Sequence, residues 1–246
     1  MLQCPDCRTV LYCPGRRILA APQLPALVGP GPPNPGWWAM TEAEQVLEFW
    51  FGDSLRPDAD LRPHLARWFG RNAALDRSIG ERFGLLITRA SGGACNDWAR
   101  TPRGRLALIV VLDQFTRNAF RDSPRAYCGD PLAVRLCLEG LRSGADRALR
   151  PVERLFFYLP LLHAEARRAQ AHSLACFRRL AAESTGIQRR HFSEWLRTAR
   201  RCRWVIACFG RYPHRNAVLG RRSTLAERGF LRAGRTVRRW RRARGS

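Results

Sequence analysis

The chain has 246 residues, 46% hydrophobic and 10% aromatic, which fits one globular domain with additional segments. Its net charge of +23 at pH 7 comes from 43 basic residues, and every one of them is arginine. A basic chain usually indicates a nucleic-acid or anionic-membrane partner, but the complete lack of lysine points to arginine-rich coding and weakens that interpretation. No run of 18 or more apolar residues occurs, so no transmembrane helix is predicted.

The nine cysteines are spread unevenly along the chain. An odd count without regular spacing does not predict a disulfide framework and favours a reducing, cytoplasmic location. Cys4 and Cys7 form half of a zinc knuckle, but Cys13 is the only third ligand nearby and a closed structural zinc site needs four. Motifs for phosphate loops, dinucleotides and catalytic zinc are also missing. We therefore predict no metal site and no cofactor.

The two ends of the chain differ in composition from the rest. Residues 1–39 hold half of all prolines and show no helical periodicity, so we predict a disordered extension. Met40 precedes Thr41 and Glu44, which have the spacing of a helix capping box, and we expect translation to start naturally at Met40. Residues 232–246 carry seven arginines and no acidic residue. We predict that they form a disordered tail that binds nucleic acid weakly and nonspecifically.

Between these ends, residues 40–231 are predicted to form a single all-α domain of about eight or nine helices, because no segment shows the alternation of a strand. Gly52 is expected to end the first helix. Thr101 and Pro102 predict the start of a helix that is apolar on nearly all sides and therefore central. Asp130 followed by Pro131 predicts a second start of the same kind.

The second half of the domain is predicted to contain two long helices. One begins at Pro151 and runs to about Ala181 with a kink at Pro160, which would place His163 and Gln170 on one helix face. The other runs from Ile187 to Phe209. Thr224 and Glu227 predict a further capping box after it.

Three apolar runs end in polar, loop-forming residues: Leu106–Asn118 (LALIVVLDQFTRN), Leu155–Glu165 (LFFYLPLLHAE) and Trp204–Asn216, which closes on FGRYPHRN. An apolar helix that presents several polar groups at its end either fastens a core or builds a site. If the three ends converge, their polar groups form one cluster.

These motifs carry a resemblance to a known family. DQFTRN, SPRAY and DPLA, then LPLLHAE with Gln170, then FGRYPHRN followed by LGRRST and Glu227, together resemble the bacterial family called "domain of unknown function 924". The resemblance runs from about Thr41 to Leu231. It implies a helical fold with tetratricopeptide-like antiparallel helix packing and supplies no activity. The chain departs from the family pattern at Thr116, in place of proline, at Ala169, in place of an acid, and at Cys202 and Trp204, in place of histidine and aspartate.

The polar residues of the three motifs are the candidate site. As acid–base residues we take His163, Glu165, His214 and Asp113, paired as His163 with Glu165 or His214 with Asp113. The remaining candidates are ligand-binding amides and arginines: Gln114, Arg117, Asn118, Gln170, Arg211, Arg215, Asn216 and Arg221. Two acids against four arginines predict surplus positive charge, which suits a carboxylate or phosphate ligand.

Two functions follow as alternatives. In the first, the cluster is a pocket for a small anionic ligand, with hydrolase-like chemistry. In the second, the same residues fasten a helical scaffold for protein–protein interaction, and Asp113 with Arg117 is an intrahelical ion pair. An enclosed pocket lined by unpaired members favours the first, and mutual pairing without a cavity favours the second. Substrate, reaction and oligomeric state do not follow from the sequence.

Overall fold

A computed structural model of the chain describes residues 40–56 and 59–233. Within these residues the structure is helical and contains no strand, which confirms the all-α prediction. The helices are α1 (Glu42–Phe51), α2 (Leu61–Phe69), α3 (Ala73–Ser91), α4 (Pro102–Ile109), α5 (Thr116–Ala119), α6 (Asp130–Arg142), α7 (Pro151–His163), α8 (Arg167–Glu183), α9 (Gly186–Phe209) and α10 (residues 225–233). The predicted extension 1–39 and nearly all of the predicted tail lie outside the described residues.

The predicted helix starts are confirmed by their hydrogen bonds. Thr41 and Glu44 form a reciprocal capping box at α1. Thr101 accepts from the backbone N–H of Gly104, ahead of a proline in the first turn of α4. At α10, Glu227 accepts from Thr224 N at 2.7 Å while Thr224 Oγ1 accepts from Glu227 N at 3.2 Å. Each cap satisfies backbone donors that a helix start leaves without intrahelical partners.

The core is built around two inner helices, α4 and α7, whose side chains are buried on nearly all sides. Helices α1 and α6 pack against α4, while α6 and α8 pack against α7, and α9 covers α8. Phe156 of α7 is central: its ring contacts Trp50, Phe51 and Trp68 at centroid distances of 4.8–5.6 Å. Tetratricopeptide-like packing of these helices stays a prediction. No helix in the described residues is both long and apolar enough to cross a membrane.

A π-helical segment, Val110–Phe115, joins α4 to α5. Such segments are rare and are often found at functional sites. Thr116 closes this one by donating its backbone N–H to Val111 O and its hydroxyl to Leu112 O, the latter at 2.7 Å. A proline at position 116 could make neither bond. The segment carries Asp113, so it sets the orientation of that carboxylate.

The predicted helix from Pro151 to Ala181 is wrong, because the structure divides it into α7 and α8. The division falls at the extended residues Ala164 and Ala166, not at Pro160, which lies inside the last turn of α7. The Nε2 atom of Gln170 in α8 lies 2.8–3.2 Å from the carbonyl oxygens of Leu161, Leu162 and Ala164, so its two N–H groups are shared among carbonyl groups that α7 leaves unpaired at its end. His163 and Gln170 therefore belong to different helices and share no helix face.

The predicted start of α6 is also displaced by one residue. Gly129, not Asp130, is the N-cap, and Asp130 lies in the first turn. The backbone of Gly129 lies against Leu112 of the π-helical segment so closely that a Cβ atom at position 129 would be 2.3 Å from Leu112 O. This approach brings Asp130 next to the π-helical segment.

Candidate functional site

Asp113 is the centre of a buried ionic cluster. It is 0% exposed, and its Oδ1 lies 2.8 Å from His163 Nδ1 and 3.0 Å from Arg117 Nη1. Gln114 donates to Asp113 Oδ2 at 2.5 Å. An ionised carboxylate only accepts hydrogen bonds, so the proton of the His163 contact lies on Nδ1. The apolar run that ends at Asp113 therefore meets the apolar run that ends at His163.

Asp130 extends the cluster toward the Arg215 loop. Arg117 Nη1 lies 2.9 Å from Asp130 Oδ1, and Arg117 Nη2 donates to Oδ2 at 3.0 Å. Arg215 Nη1 lies 3.6 Å from the same carboxylate. The guanidinium of Arg215 lies between the rings of Tyr127 and Tyr212, 4.7 Å from each centroid. The central cluster comprises Asp113, His163, Arg117, Asp130 and Arg215.

The burial of this cluster sets its charge states. Burial alone would raise the pKa of Asp113, but Arg117 and His163 together outweigh it and lower that pKa. Burial lowers the pKa of His163 below its usual value, against the opposing attraction of Asp113. Burial also raises the pKa of Asp130, although Arg117 opposes the shift. Near neutral pH, His163 is therefore neutral and Asp113 is ionised.

The lowered pKa of His163 predicts that the domain loses stability as the pH falls below about 6.5, the value for an unfolded histidine. The unfolded chain then binds a proton that the folded chain does not, so the free energy of unfolding rises with pH in this window. Chemical denaturation between pH 5 and 8 measures the slope. We expect His163→Gln to reduce it and the exposed His172→Gln to leave it unchanged; equal slopes in both variants would contradict this assignment.

Glu165 and Arg221 form a second, separate ion pair. Arg221 binds Glu165 through two hydrogen bonds of 2.6 and 3.0 Å, and the backbone N–H of Tyr212 donates to Glu165 Oε1 at 2.8 Å. Burial would raise the pKa of Glu165, but the hydrogen bonds from Arg221 and Tyr212 outweigh it and lower that pKa. Glu165 therefore fastens the end of α7 to the loop after α9.

Arg211 and Glu227 form a third pair at the start of α10. Arg211 donates to the two carboxylate oxygens at 2.7 and 2.9 Å, and this contact lowers the pKa of Glu227 to about 2. Arg211 also donates to the carbonyl oxygen of Arg222 at 2.9 Å. Arg211 is thus held at the start of α10 by Glu227 and Arg222.

The remaining candidates include Gln170, Asn216 and Asn118, which bind partners outside the central cluster. Gln170 binds the end of α7, and its Nε2 atom lies 3.0 Å from the Tyr212 hydroxyl oxygen. Asn216 donates to Ser223 Oγ at 3.1 Å, while its Oδ1 is buried without a partner. Asn118 faces α3, where it donates to Asp76 at 2.8 Å. His214 is exposed, with its ring 5.4 Å from that of Tyr212.

Two sequence-based expectations about the site need correction. Both expected acid–base pairs are replaced, because His163 binds Asp113 and Glu165 binds Arg221. The expected surplus of positive charge is not present either, since Asp130 and Glu227 supply two further acids for the four arginines. Pairing between residues this far apart in the sequence depends on helix packing.

Asp130, Tyr127 and Tyr212 are members or neighbours of the site that the sequence does not predict. Asp130 was interpreted only as a helix cap, although an acid in the first turn can also bind a neighbouring arginine. Tyr127 belongs to SPRAY and Tyr212 to FGRYPHRN, so their motifs were the available signal. Their roles as ring contacts of Arg215 are visible only in the folded chain.

Two open hollows of about 390 and 420 Å³ lie on the described part of the chain. The first is lined by Asn118 with Asp76 and Arg121, and the second by Arg211 and Glu227. Neither is lined by a member of the central cluster. The described residues also contain no group of three or more His, Cys, Asp or Glu side chains that could hold a metal ion.

Fold and site together define a single all-α domain with a buried Asp–His–Arg cluster between its central helices. Residues 46–235 match the family described as "Bacterial protein of unknown function (DUF924)", and the chain belongs to this family. A solved structure titled "Structure of Protein of Unknown Function ATU0120 from Agrobacterium tumefaciens" is 34% identical, with a TM-score of 0.64 over 77% of this chain and 96% of that chain. No curated protein matches the chain.

Proposed function

We propose that the central cluster binds a small anionic ligand, such as a carboxylate or a phosphate, and performs acid–base chemistry of the hydrolase type on it. The observation that carries this proposal is that the buried guanidinium of Arg215 has unused hydrogen-bond donors. Its side chain is only 8% exposed, yet within the described part of the chain its guanidinium makes no hydrogen bond, and its Nε is buried without a partner. Its ion pair with Asp130 is long, at 3.6 Å.

A buried arginine normally uses its donors, because an unpaired buried charge is costly. The other three arginines of the motifs follow this rule: Arg117, Arg211 and Arg221 each bind a carboxylate at 3.0 Å or less. Arg215 instead presents a planar fork between two tyrosine rings. Such a fork binds a carboxylate or phosphate through two parallel hydrogen bonds.

His163 supplies the acid–base group beside this anchor. Its side chain is 21% exposed, and Nδ1 is held by Asp113. A neutral imidazole in this tautomer accepts a proton at Nε2, and the ionised carboxylate stabilises the imidazolium that forms. A water molecule or hydroxyl group placed against Nε2 would lose its proton to His163. Because the acids and arginines of the cluster balance, a bound anion also favours protonation of His163.

A thermal-shift titration with sulfate and acetate tests the proposal. Anion binding to the folded chain alone stabilises it by roughly 2.7 kcal/mol at a hundredfold excess over Kd. We expect a rise in Tm at millimolar anion that is larger at pH 6 than at pH 8, because the protonated His163 adds a positive charge. The rise should vanish in Arg215→Ala and persist in the exposed control Arg222→Ala. An equal rise in both variants would contradict the proposal.

The alternative, a helical scaffold for protein partners, is favoured by two other observations: neither hollow on the described residues is lined by the central cluster, and further residues of the motifs pair with one another. Two ion pairs, Glu165 with Arg221 and Arg211 with Glu227, attach the loop between α9 and α10 to the rest of the domain. No anion-induced rise in Tm at either pH would make the scaffold the better proposal.

A cytoplasmic location is the compartment that we propose. It is supported by six free cysteines among the described residues, of which Cys95, Cys137 and Cys176 are buried in the core. Free thiols persist in a reducing compartment.

A further inference from the structure

The positive charge of the chain is concentrated in its C-terminal third. Residues 40–165 carry 18 arginines and 16 acidic residues, whereas residues 166–246 carry 22 arginines and three acidic residues. Arginine-rich coding would raise the arginine content throughout and would leave this contrast in acidic residues unexplained. The imbalance therefore points to a surface with a negatively charged partner.

Helix α9 presents part of this charge on its outer face. At 3.6 residues per turn, Arg190, Arg197, Arg201 and Trp204 fall within about 60° of one another and opposite the buried Ala199. We call these four residues the outer α9 stripe. It runs about 21 Å along the helix axis. All four side chains are exposed, and Trp204 retains 54% of its surface. The exposed arginines that flank the stripe are Arg189 and Arg200.

The stripe has little acidic compensation. Glu194 is the single acidic residue in α9, and it lies 3.5 Å from Arg197 in a largely exposed pair. Some exposed arginines elsewhere in the described residues have closer acidic partners. Three such pairs, with nitrogen–oxygen distances of 2.8 to 3.0 Å, are Arg62 with Asp60, Arg71 with Asp122 and Arg89 with Glu42.

We propose that the outer α9 stripe binds single-stranded nucleic acid. Arginine forks bind phosphate groups through paired hydrogen bonds, and a row of arginines along one helix can follow a sugar–phosphate backbone. Trp204, at one end of the row, contacts the rings of Phe209 and Phe230 at centroid distances of 6.4 and 6.0 Å and keeps 54% of its surface exposed, on which an unpaired base can stack. A duplex keeps its bases stacked inside, so Trp204 contributes to binding only when the strand is single.

An anionic membrane is the competing partner, and the burial of α9 disfavours it. A helix that binds a membrane surface inserts an apolar face between the lipids. The apolar face of α9 packs against the rest of the domain and is not available to lipids, because Phe192, Ala199 and Ile206 are buried. Binding to nucleic acid needs only the polar face that remains.

The proposal is independent of the central cluster and differs from the weak binding expected of the C-terminal tail. The stripe lies within α9, whereas the tail begins at residue 232. The full chain contains both, so the test uses substitutions in each and no truncation. The arginine substitutions in α9 fall at exposed positions, where folding should be unaffected.

Fluorescence anisotropy of the full chain with an oligouridylate of about 12 nucleotides measures the binding. We expect Arg197→Gln with Arg201→Gln to weaken it at least tenfold and to reduce the slope of log K against log salt by about 1.4. Trp204→Ala should weaken single-strand binding roughly tenfold and leave duplex binding unchanged. The matched control, Arg77→Gln with Arg100→Gln, removes two exposed arginines elsewhere and should change neither the affinity nor the slope.

Two outcomes would overturn the proposal. If Arg238→Gln with Arg239→Gln removes the binding while the α9 double variant binds like the native chain, the tail is the binding element. If phosphatidylglycerol vesicles bind in a manner that depends on Arg197 and Arg201 while the oligouridylate does not bind, the partner is a membrane. Circular dichroism melts of each variant separate lost binding from lost folding.

Discussion

Replacing Asp113 with alanine should lower the free energy of unfolding by about 3–5 kcal/mol, the cost of removing one partner from a buried ionic network. The carboxylate is 0% exposed and serves three groups at once: Arg117, His163 and Gln114. Without it, His163 loses the acceptor of its Nδ1 proton. Arg117 then keeps Asp130 as its remaining carboxylate partner among the described residues. Urea denaturation near pH 7.5 measures the loss.

Two further variants make the Asp113 result specific. Asp113→Asn keeps the volume and an acceptor oxygen, so we expect a smaller loss than for alanine. Glu139→Ala removes a half-exposed acid that lies 3.5 Å from Arg105, and it should cost no more than about 1 kcal/mol. A native-like unfolding curve for Asp113→Ala would show that the cluster contributes nothing to stability.

Replacing Gly129 with alanine should lower the free energy of unfolding by about 1–3 kcal/mol, the usual cost of overpacking. The added Cβ would lie 2.3 Å from Leu112 O, a backbone atom inside the π-helical segment. Either α6 or that segment must move. Because Asp130 follows directly, the movement also separates it from Arg117 and Arg215, so we expect Gly129→Ala to reduce the anion-induced rise in Tm.

Gly80→Ala is the matched control for Gly129. Gly80 lies inside α3, is exposed and has no atom within 4 Å of a Cβ at its position. Alanine is the better helix former, so this variant should gain roughly 0.5–1 kcal/mol. A Gly129→Ala protein that gains stability to the same degree would show that α6 does not depend on its close approach to Leu112.

The convergence of the three motifs was expected from the sequence, and the structure brings their ends together. Asp113 contacts His163, and Glu165 binds the backbone of Tyr212 and the side chain of Arg221. What the sequence could not supply was the choice of partners within the cluster. His163 and Glu165 are two residues apart, yet they bind different partners, Asp113 and Arg221, because α7 ends between them.

Helix positions, caps and the apolar core follow from the sequence alone, because they depend on local spacing and hydrophobic periodicity. The capping boxes of α1 and α10 and the proline start of α4 are examples. The break between α7 and α8, the pairing of Asp113 with His163 and the unused donors of Arg215 were decided by the tertiary structure. Residues some 50 positions apart choose partners only after the helices have packed, since burial makes each charge bind the nearest available opposite charge.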